Sequence, residues 1–377
     1  MCERLTSFRA ANKARRRRPL RWLVLIVCVL PAVVSPRFAV GDENPLLGLP
    51  PVPIPADNPQ TPQKIALGKK LFHDTRFSVD GKVSCASCHE PERAFTDGRV
   101  VAKGVINQSG ARNTPTILNA AYYSSQFWDG RRVSLEEQAA DPFVNPSEHG
   151  LTNHDTILQQ VQSDKNYVEA FRAVYVVQAA DIRMEHVVKA LASFERTLIA
   201  ANSPFDRYYY AGEKGALSAS AQRGLALFSQ RARCVSCHAI GPQNALFTDN
   251  QFHALGIGYE AIASKLATLT KKLANSSRRE IDARIIREPD VSALGRFAVS
   301  LKPGDIGRFK TPSLRNVART APYMHDGSVA TLEEAIELEL YNRGTVDTRP
   351  PILNPEDKKD LAEFLRSLTS ANLPRLQ

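Results

Sequence analysis

The sequence is poor in the residues that mark several common classes of protein. Its 377 residues include 6 cysteines, 3 methionines and 2 tryptophans. Cys2 and Cys28 lie within residues 1–40, so four cysteines remain in the rest of the chain. That number is too small for the dense disulfide framework of small secreted domains. No long apolar run follows residue 40, so no membrane-spanning helix is predicted there.

The positive charge of the chain is concentrated at its start. The formal net charge is +10, and residues 1–40 hold nine Lys/Arg and one acid, a balance of +8. The remaining chain is nearly neutral. It therefore lacks the broad positive field that holds phosphates, and nucleic acid is not an expected partner.

Residues 1–40 have the order of a secretory signal peptide. The basic stretch precedes LRWLVLIVCVLPAVV, a short apolar run that is cut by Pro31. An uncleaved anchor is the alternative. We expect export to the periplasm, with no integral membrane segment after processing. Residues 41–62 are rich in proline and are predicted to form an extended arm.

The remaining cysteines belong to two pentapeptides, CASCH and CVSCH. C-x-x-C-H is the attachment sequence of c-type haem, in which two thiols bond the haem and the histidine binds the iron from one side. A four-cysteine zinc site would leave both histidines unexplained, and no βαβ pattern supports a thioredoxin-like enzyme. We predict two covalently bound haem c groups, held by Cys85, Cys88, His89, Cys234, Cys237 and His238.

An internal echo precedes the two motifs. LGKKLF at 67–72 and RGLALF at 223–228 both place Gly before Leu-Phe at helical spacing. Amphipathic helical patterns fill the region between the motifs, and long alternating strand patterns are absent. The predicted fold is mainly α, with two cytochrome c-like helical haem domains related by duplication. They are assigned to residues 63–205 and 206–377.

Two further segments carry a family resemblance. RNTPTILNAAYYSSQFWDGRRVSLEEQAADPFVNPSEHG at 112–150 and GRFKTPSLRNVARTAPYMHDG at 307–327 resemble the bacterial di-haem cytochrome c peroxidases and their MauG-type relatives. The resemblance covers nearly all of the chain after the signal peptide. It implies that the two haems face the domain interface and that hydrogen peroxide is reduced at the first, peroxidatic haem.

The resemblance also assigns site residues. Trp128 matches the tryptophan that lies between the haems and passes electrons from the second to the first. Glu148 matches the residue that moves a proton between the oxygens of peroxide, and Gln138 matches a residue of the same pocket. A calcium ion is implied as well, bound by the Asn113 side chain and the backbone carbonyls of Thr320 and Pro322.

The chain lacks one histidine that is typical of the cytochrome c peroxidase branch. That branch carries a histidine shortly before N-x-P-T, which caps the first haem until the second is reduced. No histidine occurs here between His89 and His149. The MauG-type branch shows the same absence, so the first iron is expected to meet peroxide without prior reduction.

The second iron has two candidate distal ligands. MauG-type relatives carry a tyrosine in a Y-x-R-G-like context, which favours Tyr341 in ELELYNRG; Met324 in YMHDG is the alternative. A phenolate favours higher oxidation states, whereas a thioether favours ferrous iron. We therefore favour MauG-like oxidation of a partner protein. The alternatives are a peroxidase fed by a small cytochrome c or cupredoxin, and a plain electron-transfer cytochrome. A homodimer is possible in this family.

Overall fold

The structure is a computed structural model, and it describes residues 44–346 and 351–376. The predicted signal peptide at 1–40 lies outside the described residues. The described chain is mainly helical, which confirms the predicted fold class. No helix in these ranges is both long and apolar enough to cross a membrane.

Helices of very different length follow one another along the chain. In order they are α1 Pro62–His73, α2 Leu135–Val144, α3 Asp155–Ser163, α4 Lys165–Tyr175, α5 Met184–Glu195, α6 Pro204–Tyr209, α7 Ala219–Ser229, α8 Tyr259–Ala263, α9 Leu266–Ala274, α10 Arg278–Arg287, α11 Pro289–Ser292, α12 Phe297–Ser300, α13 Leu332–Val346, α14 Pro355–Arg366 and α15 Leu373–Leu376.

A single small sheet is present in the described chain. Strand β1 (Phe252–Ala254) pairs antiparallel with β2 (Arg308–Lys310), with Phe252 opposite Lys310. Short 3-10 helices lie between the longer elements, at Thr75–Phe77, Cys85–Ser87, Pro91–Arg93, Val105–Asn107, Ala120–Tyr122, Ala179–Asp181, Cys234–Ser236, Pro303–Asp305 and Val317–Arg319.

Two helix pairs are packed in the same way. Helix α1 meets α5 at Gly68, where an added Cβ would lie 1.9 Å from the carbonyl oxygen of Ala190. Helix α7 meets α14 at Gly224, where a Cβ would lie 2.0 Å from the carbonyl oxygen of Asp360. Each glycine is followed by the buried Leu-Phe pair that the sequence echo contains. The glycines therefore allow two helix backbones to touch, once in each half.

A second repeat relates two loops that lie 197 residues apart in the chain. Asn119 and Asn316 both adopt left-handed backbone conformations, with φ of 60° and 62°, and each begins a 3-10 helix. Single antiparallel bridges follow, between residues 126 and 132 and between residues 323 and 329. Helices α2 and α13 then begin at equivalent positions, Leu135 and Leu332. By this register Trp128 corresponds to His325, and Asn113 to Lys310.

The larger apolar cores are built from different parts of the chain. One core takes its buried residues from 67–200 and from Leu373, and it includes Phe72, Phe143 and Tyr167. Another takes them from 205–368. The assignment of separate haem domains at 63–205 and 206–377 stays a prediction.

The proline-rich arm is fixed between these two parts of the chain. From residue 44 to 61 it contains no helix or strand. The carbonyl of Gly48 accepts a hydrogen bond from Arg315 Nη2 at 2.6 Å, and the same guanidinium forms a fully buried ion pair with Asp206 at 2.9 Å. The arm thereby supplies one of the acceptors that a buried guanidinium requires.

Helices α8 to α12 form a small satellite with its own apolar core, which includes Leu273, Ile281 and Val291. Arg112 ties this satellite to the loop before α2, because its Nε donates to Ser292 Oγ at 2.8 Å and its Nη2 to Ser292 O at 3.0 Å.

Replacing Gly224 by alanine is expected to destabilise the fold. The new methyl group has no room against the α14 backbone, and overpacking of this kind costs about 1–3 kcal/mol. Chemical denaturation of the holoprotein measures the change in unfolding free energy. Gly215→Ala is the matched control, because nothing lies within 4 Å of a Cβ there. Equal losses in the two variants would contradict the proposed backbone contact.

Candidate functional site: two imidazole centres and a shared cleft

The first motif presents a histidine in a fixed tautomer. Cys85–Ser87 form a 3-10 turn, and the His89 N–H donates to the Cys85 carbonyl at 3.0 Å. The ring Nδ1 lies 3.0 Å from the carbonyl of Phe95, which can only accept, so Nδ1 carries the proton. Burial lowers the pKa of His89 below its usual value. The ring is therefore neutral, with the Nε2 lone pair available to a metal.

The second motif repeats this arrangement. Cys234–Ser236 form the same turn, and His238 Nδ1 lies 2.9 Å from the carbonyl of Phe247. Each motif places its two cysteines three residues apart, beside the oriented imidazole. Two thiols at this spacing next to such an imidazole are the donor set that a c-type haem requires. The residues present thus fit a haem at each motif.

A deep cleft brings the first motif together with the three residues predicted to be catalytic. Cys88 and His89 line it, as do Trp128, Gln138 and Glu148. About 1240 Å³ inside it is free of protein atoms, part of this open to solvent. Residues separated by up to 60 positions therefore line one cleft. Among the described residues that line the cleft, His89 is the sole histidine.

Glu148 is held in the turn that follows α2. Its side chain accepts a hydrogen bond from Asn145 Nδ2, and its backbone carbonyl accepts one from the Val105 N–H at 2.9 Å. The carboxyl opens on the cleft, but protein surrounds it on the other sides. This burial raises the pKa of Glu148 to about 7, although Arg131 and Asn145 favour the carboxylate. A carboxyl with a pKa near 7 can both accept and return a proton at neutral pH.

Helix α2 presents one face to the cleft. Gln138, Pro142 and Asn145 line it at spacings of four and three residues, which is the helical repeat. Ser134 begins the helix by accepting from the Glu137 N–H at 3.1 Å. The cap fixes where the helix starts, and this start determines which side chains face the first motif.

Trp128 is positioned by hydrogen bonds at both its ends. Its indole N–H donates to the Asn113 carbonyl at 3.0 Å, and its own carbonyl accepts from the Lys310 N–H at 2.8 Å. The next residue, Asp129, is fully buried between Arg112 and Arg131, at 2.7 and 3.1 Å. Burial opposes ionisation, but the two guanidiniums outweigh it and hold the pKa of Asp129 well below its usual range.

The equivalent loop in the second half is YMHDG. Met324 has φ of 72°, and Phe127 at the corresponding position has 66°. The His325 ring stacks on Phe309 with a centroid separation of 3.6 Å, and burial lowers its pKa to about 4. Tyr323 donates its hydroxyl proton to the Val317 carbonyl at 3.1 Å.

Tyr341 lies on α13 and is 77 % exposed. The repeat pairs it with Val144, whereas the cleft-facing Pro142 pairs with Glu339. Tyr341 as the distal ligand of the second iron, with Met324 as the alternative, stays a prediction. The calcium ligands also stay a prediction. Asn113 is buried, and its Nδ2 donates to the Arg99 carbonyl at 2.8 Å.

Two residues of the cleft wall were missed by sequence reasoning. Glu195, at the end of α5, has an Oε2 with no partner, and burial raises its pKa to about 8. Glu195 is the last residue of α5, a helix whose C-terminal residues are mostly buried and apolar. This position in the sequence was a signal that its carboxyl is buried. Lys310 is buried in the same wall, and burial lowers its pKa to about 7. The sequence FKTPS around Lys310 gave no reason to expect a buried lysine.

Cys237, Asp249 and His253 form a further cluster, with potential ligand atoms within 4.8 Å of one another. His253 Nε2 lies 2.7 Å from the Asp249 carboxylate. Because Cys237 is one of the thiols that fit a haem, this cluster is part of the second centre and not a separate metal site.

The geometry defines a class, that of helical proteins with two oriented imidazoles and a buried glutamate in the same cleft as one of them. The family model described as di-haem cytochrome c peroxidase matches residues 62–215. Cytochrome-c peroxidase IdrP1 of Pseudomonas sp. (strain SCT) is 36 % identical over 94 % of this chain and 93 % of its own length. The methylamine utilization protein MauG of Methylorubrum extorquens is 36 % identical over 86 % of this chain and 84 % of its own length.

A solved structure agrees with these relatives. The crystal structure of a MauG-like protein associated with microbial copper homeostasis has a TM-score of 0.70 and 30 % identity, over 89 % of this chain and 98 % of that one. The chain belongs to the di-haem cytochrome c peroxidase family. It is a peroxidase-type haem oxidoreductase, and the family implies two haem groups, with hydrogen peroxide and redox proteins as partners.

Replacing Glu148 by glutamine is expected to lower the rate constant for reaction with hydrogen peroxide by about 10²–10⁴-fold. The carboxylate is the form that takes a proton, and its pKa is near 7. The wild-type rate constant should therefore rise between about pH 6 and 8 and level off above about pH 8, while the variant shows no such rise. Stopped-flow spectroscopy measures both.

The exposed Glu169 provides the control for this prediction, since Glu169→Gln makes the same chemical change on the surface of α4. If Glu148→Gln and Glu169→Gln both retained the wild-type rate and pH profile, Glu148 would have no acid–base role.

Proposed function

We propose that the chain is an exported, periplasmic oxidoreductase that carries a covalent haem c at each motif and reduces hydrogen peroxide at the His89 centre. The observation that supports this most is the placement of Glu148 and His89 in one cleft, with the pKa of the glutamate raised to about 7. A bound haem would supply an iron that binds peroxide and delivers electrons. Peroxide, two protons and two electrons yield two molecules of water.

The chain's own residues supply the rest of this chemistry. Glu148 takes the proton from one peroxide oxygen and returns it to the other, which leaves as water. Gln138 and Pro142 shape the space beside it on α2. Trp128 is the residue through which electrons pass between the two centres, because both its indole and its backbone are fixed at the junction of the two loops.

Within this class we favour MauG-like oxidation of a partner protein. Its support is the absence of any histidine besides His89 from the described cleft wall, which leaves the first centre without an internal cap. The second candidate is a peroxidase fed by a small cytochrome c or cupredoxin. Steady turnover of peroxide with reduced cytochrome c would favour that candidate over the MauG-like one. A calcium ion at Asn113, Thr320 and Pro322 and a homodimer also belong to the proposal.

The distal ligand of the second haem separates the two candidates spectroscopically. We expect the near-infrared and EPR signals of the second haem in the oxidised holoprotein to change in Tyr341→Phe and not in Met324→Leu, because a phenolate ligand is lost only in the first. A thioether charge-transfer band that disappears in Met324→Leu would instead make the second haem an electron relay for a peroxidase.

Replacing Trp128 by phenylalanine tests the electron path. Haem content and the spectra of both haems should stay unchanged, while electron transfer between the haems slows by at least about tenfold, equivalent to a barrier higher by about 1.4 kcal/mol. Transient absorption after flash reduction of the second haem measures this. An unchanged rate would remove Trp128 from the path.

A further inference from the structure

Lys310 is a buried lysine that has no carboxylate partner within residues 44–346 and 351–376. It is 6 % exposed and lies in the cleft wall together with Cys88, His89 and Trp128. Its ammonium group sits 3.3 Å from the centre of the Tyr123 ring. Among the described residues no carboxylate pairs with it, and burial alone acts on its pKa. A desolvated lysine without an anion is strongly disfavoured, so this position calls for one.

The two arginines of the described cleft wall already have carboxylate partners. Arg112 and Arg131 share the buried carboxylate of Asp129, and Arg131 also lies 3.9 Å from a carboxylate oxygen of Asp141. The two acidic residues of the wall, Glu148 and Glu195, have electrostatic neighbours that do not include Lys310. The anion therefore has to come from whatever occupies the cleft. A haem attached at the first motif brings two propionate carboxylates into this space.

We infer that Lys310 is the internal counter-ion of a propionate of the haem held at Cys85, Cys88 and His89. This rests on the haem attachment proposed above. The ammonium group would donate to the carboxylate, and the ring of Tyr123 would support it from the other side. Lys310 is thus a positioning residue: it fixes the haem and holds a positive charge beside Trp128, to which its backbone N–H is bonded.

A positive charge near a haem favours the reduced iron. Replacing Lys310 by methionine shortens the side chain by one atom and keeps the backbone hydrogen bond to Trp128, but removes the charge. The midpoint potential of the first haem should become more negative, while that of the second haem changes less. Lys310→Arg keeps a cation and should restore the potential towards the wild-type value. Spectroelectrochemistry with EPR assigns the two potentials.

Lys302→Met is the matched control, because Lys302 is exposed and its loss changes the net charge equally. Two haems per chain, counted as the pyridine haemochrome, and an unchanged melting temperature establish that each variant is loaded and folded. If the wild-type protein carried no haem at the first motif, the proposed attachment would be wrong. If both variants carried two haems and the midpoint potential of the first haem were the same in Lys310→Met and Lys302→Met, only the role of Lys310 would be wrong.

The resonance Raman bending mode of the propionates provides a readout that does not depend on activity. The frequency of this mode should shift in Lys310→Met and stay unchanged in Lys302→Met. A crystal structure of the holoprotein decides the matter even if Lys310→Met fails to fold. A haem carboxylate within hydrogen-bonding distance of Lys310 Nζ is the expected result, and an ammonium group paired with any other anion contradicts the inference.

Discussion

The arrangement of the site depends on two reciprocal backbone hydrogen bonds. The Lys310 N–H donates to the Trp128 carbonyl at 2.8 Å, and the Asn113 N–H donates to the His325 carbonyl at 2.9 Å. The repeat relates these bonds to each other, since Asn113 corresponds to Lys310 and Trp128 to His325. Each loop thus positions the other. If only the first half of the chain were present, Trp128 would keep the bond from its indole to Asn113 but lose the one to its backbone from Lys310.

Both histidine motifs are also positioned mainly by backbone groups. A backbone carbonyl fixes each imidazole by its Nδ1, and a glycine in the preceding helix lets that helix touch its partner. Backbone groups are insensitive to side-chain replacement, so a duplicated chain could diverge around them. What diverged is the chemistry: α2 carries Gln138 and leads to Glu148, whereas α13 presents Ala335 and Glu339 at the positions equivalent to Gln138 and Pro142.

Much of the fold and of the candidate site could be predicted from the sequence. The two pentapeptides identify the histidines because haem attachment of this type fixes residue type and spacing. By resemblance, the segment from 112 to 150 assigns Gln138 and Glu148 to one pocket and Trp128 to the space between the haems. The echo around Gly68 and Gly224 indicated the duplication. Lys310 and Glu195 could not be found in this way, because the burial of a charged side chain depends on contacts between distant segments. For Tyr341, the pattern predicts iron ligation, yet α13 places its side chain on an exposed face.

The composition of the cleft wall has a consequence for how the protein matures. Ile285, Ile286, Lys310 and Pro312 all line the cavity that contains the first motif. These residues are made at least 196 positions after His89. During synthesis the first CxxCH sequence is made before the wall that encloses it. On the attachment proposed here, a haem bound early at Cys85 and Cys88 would lie on an open surface until the later segments fold over it, so its thioether bonds, more than the pocket, would retain it in that interval.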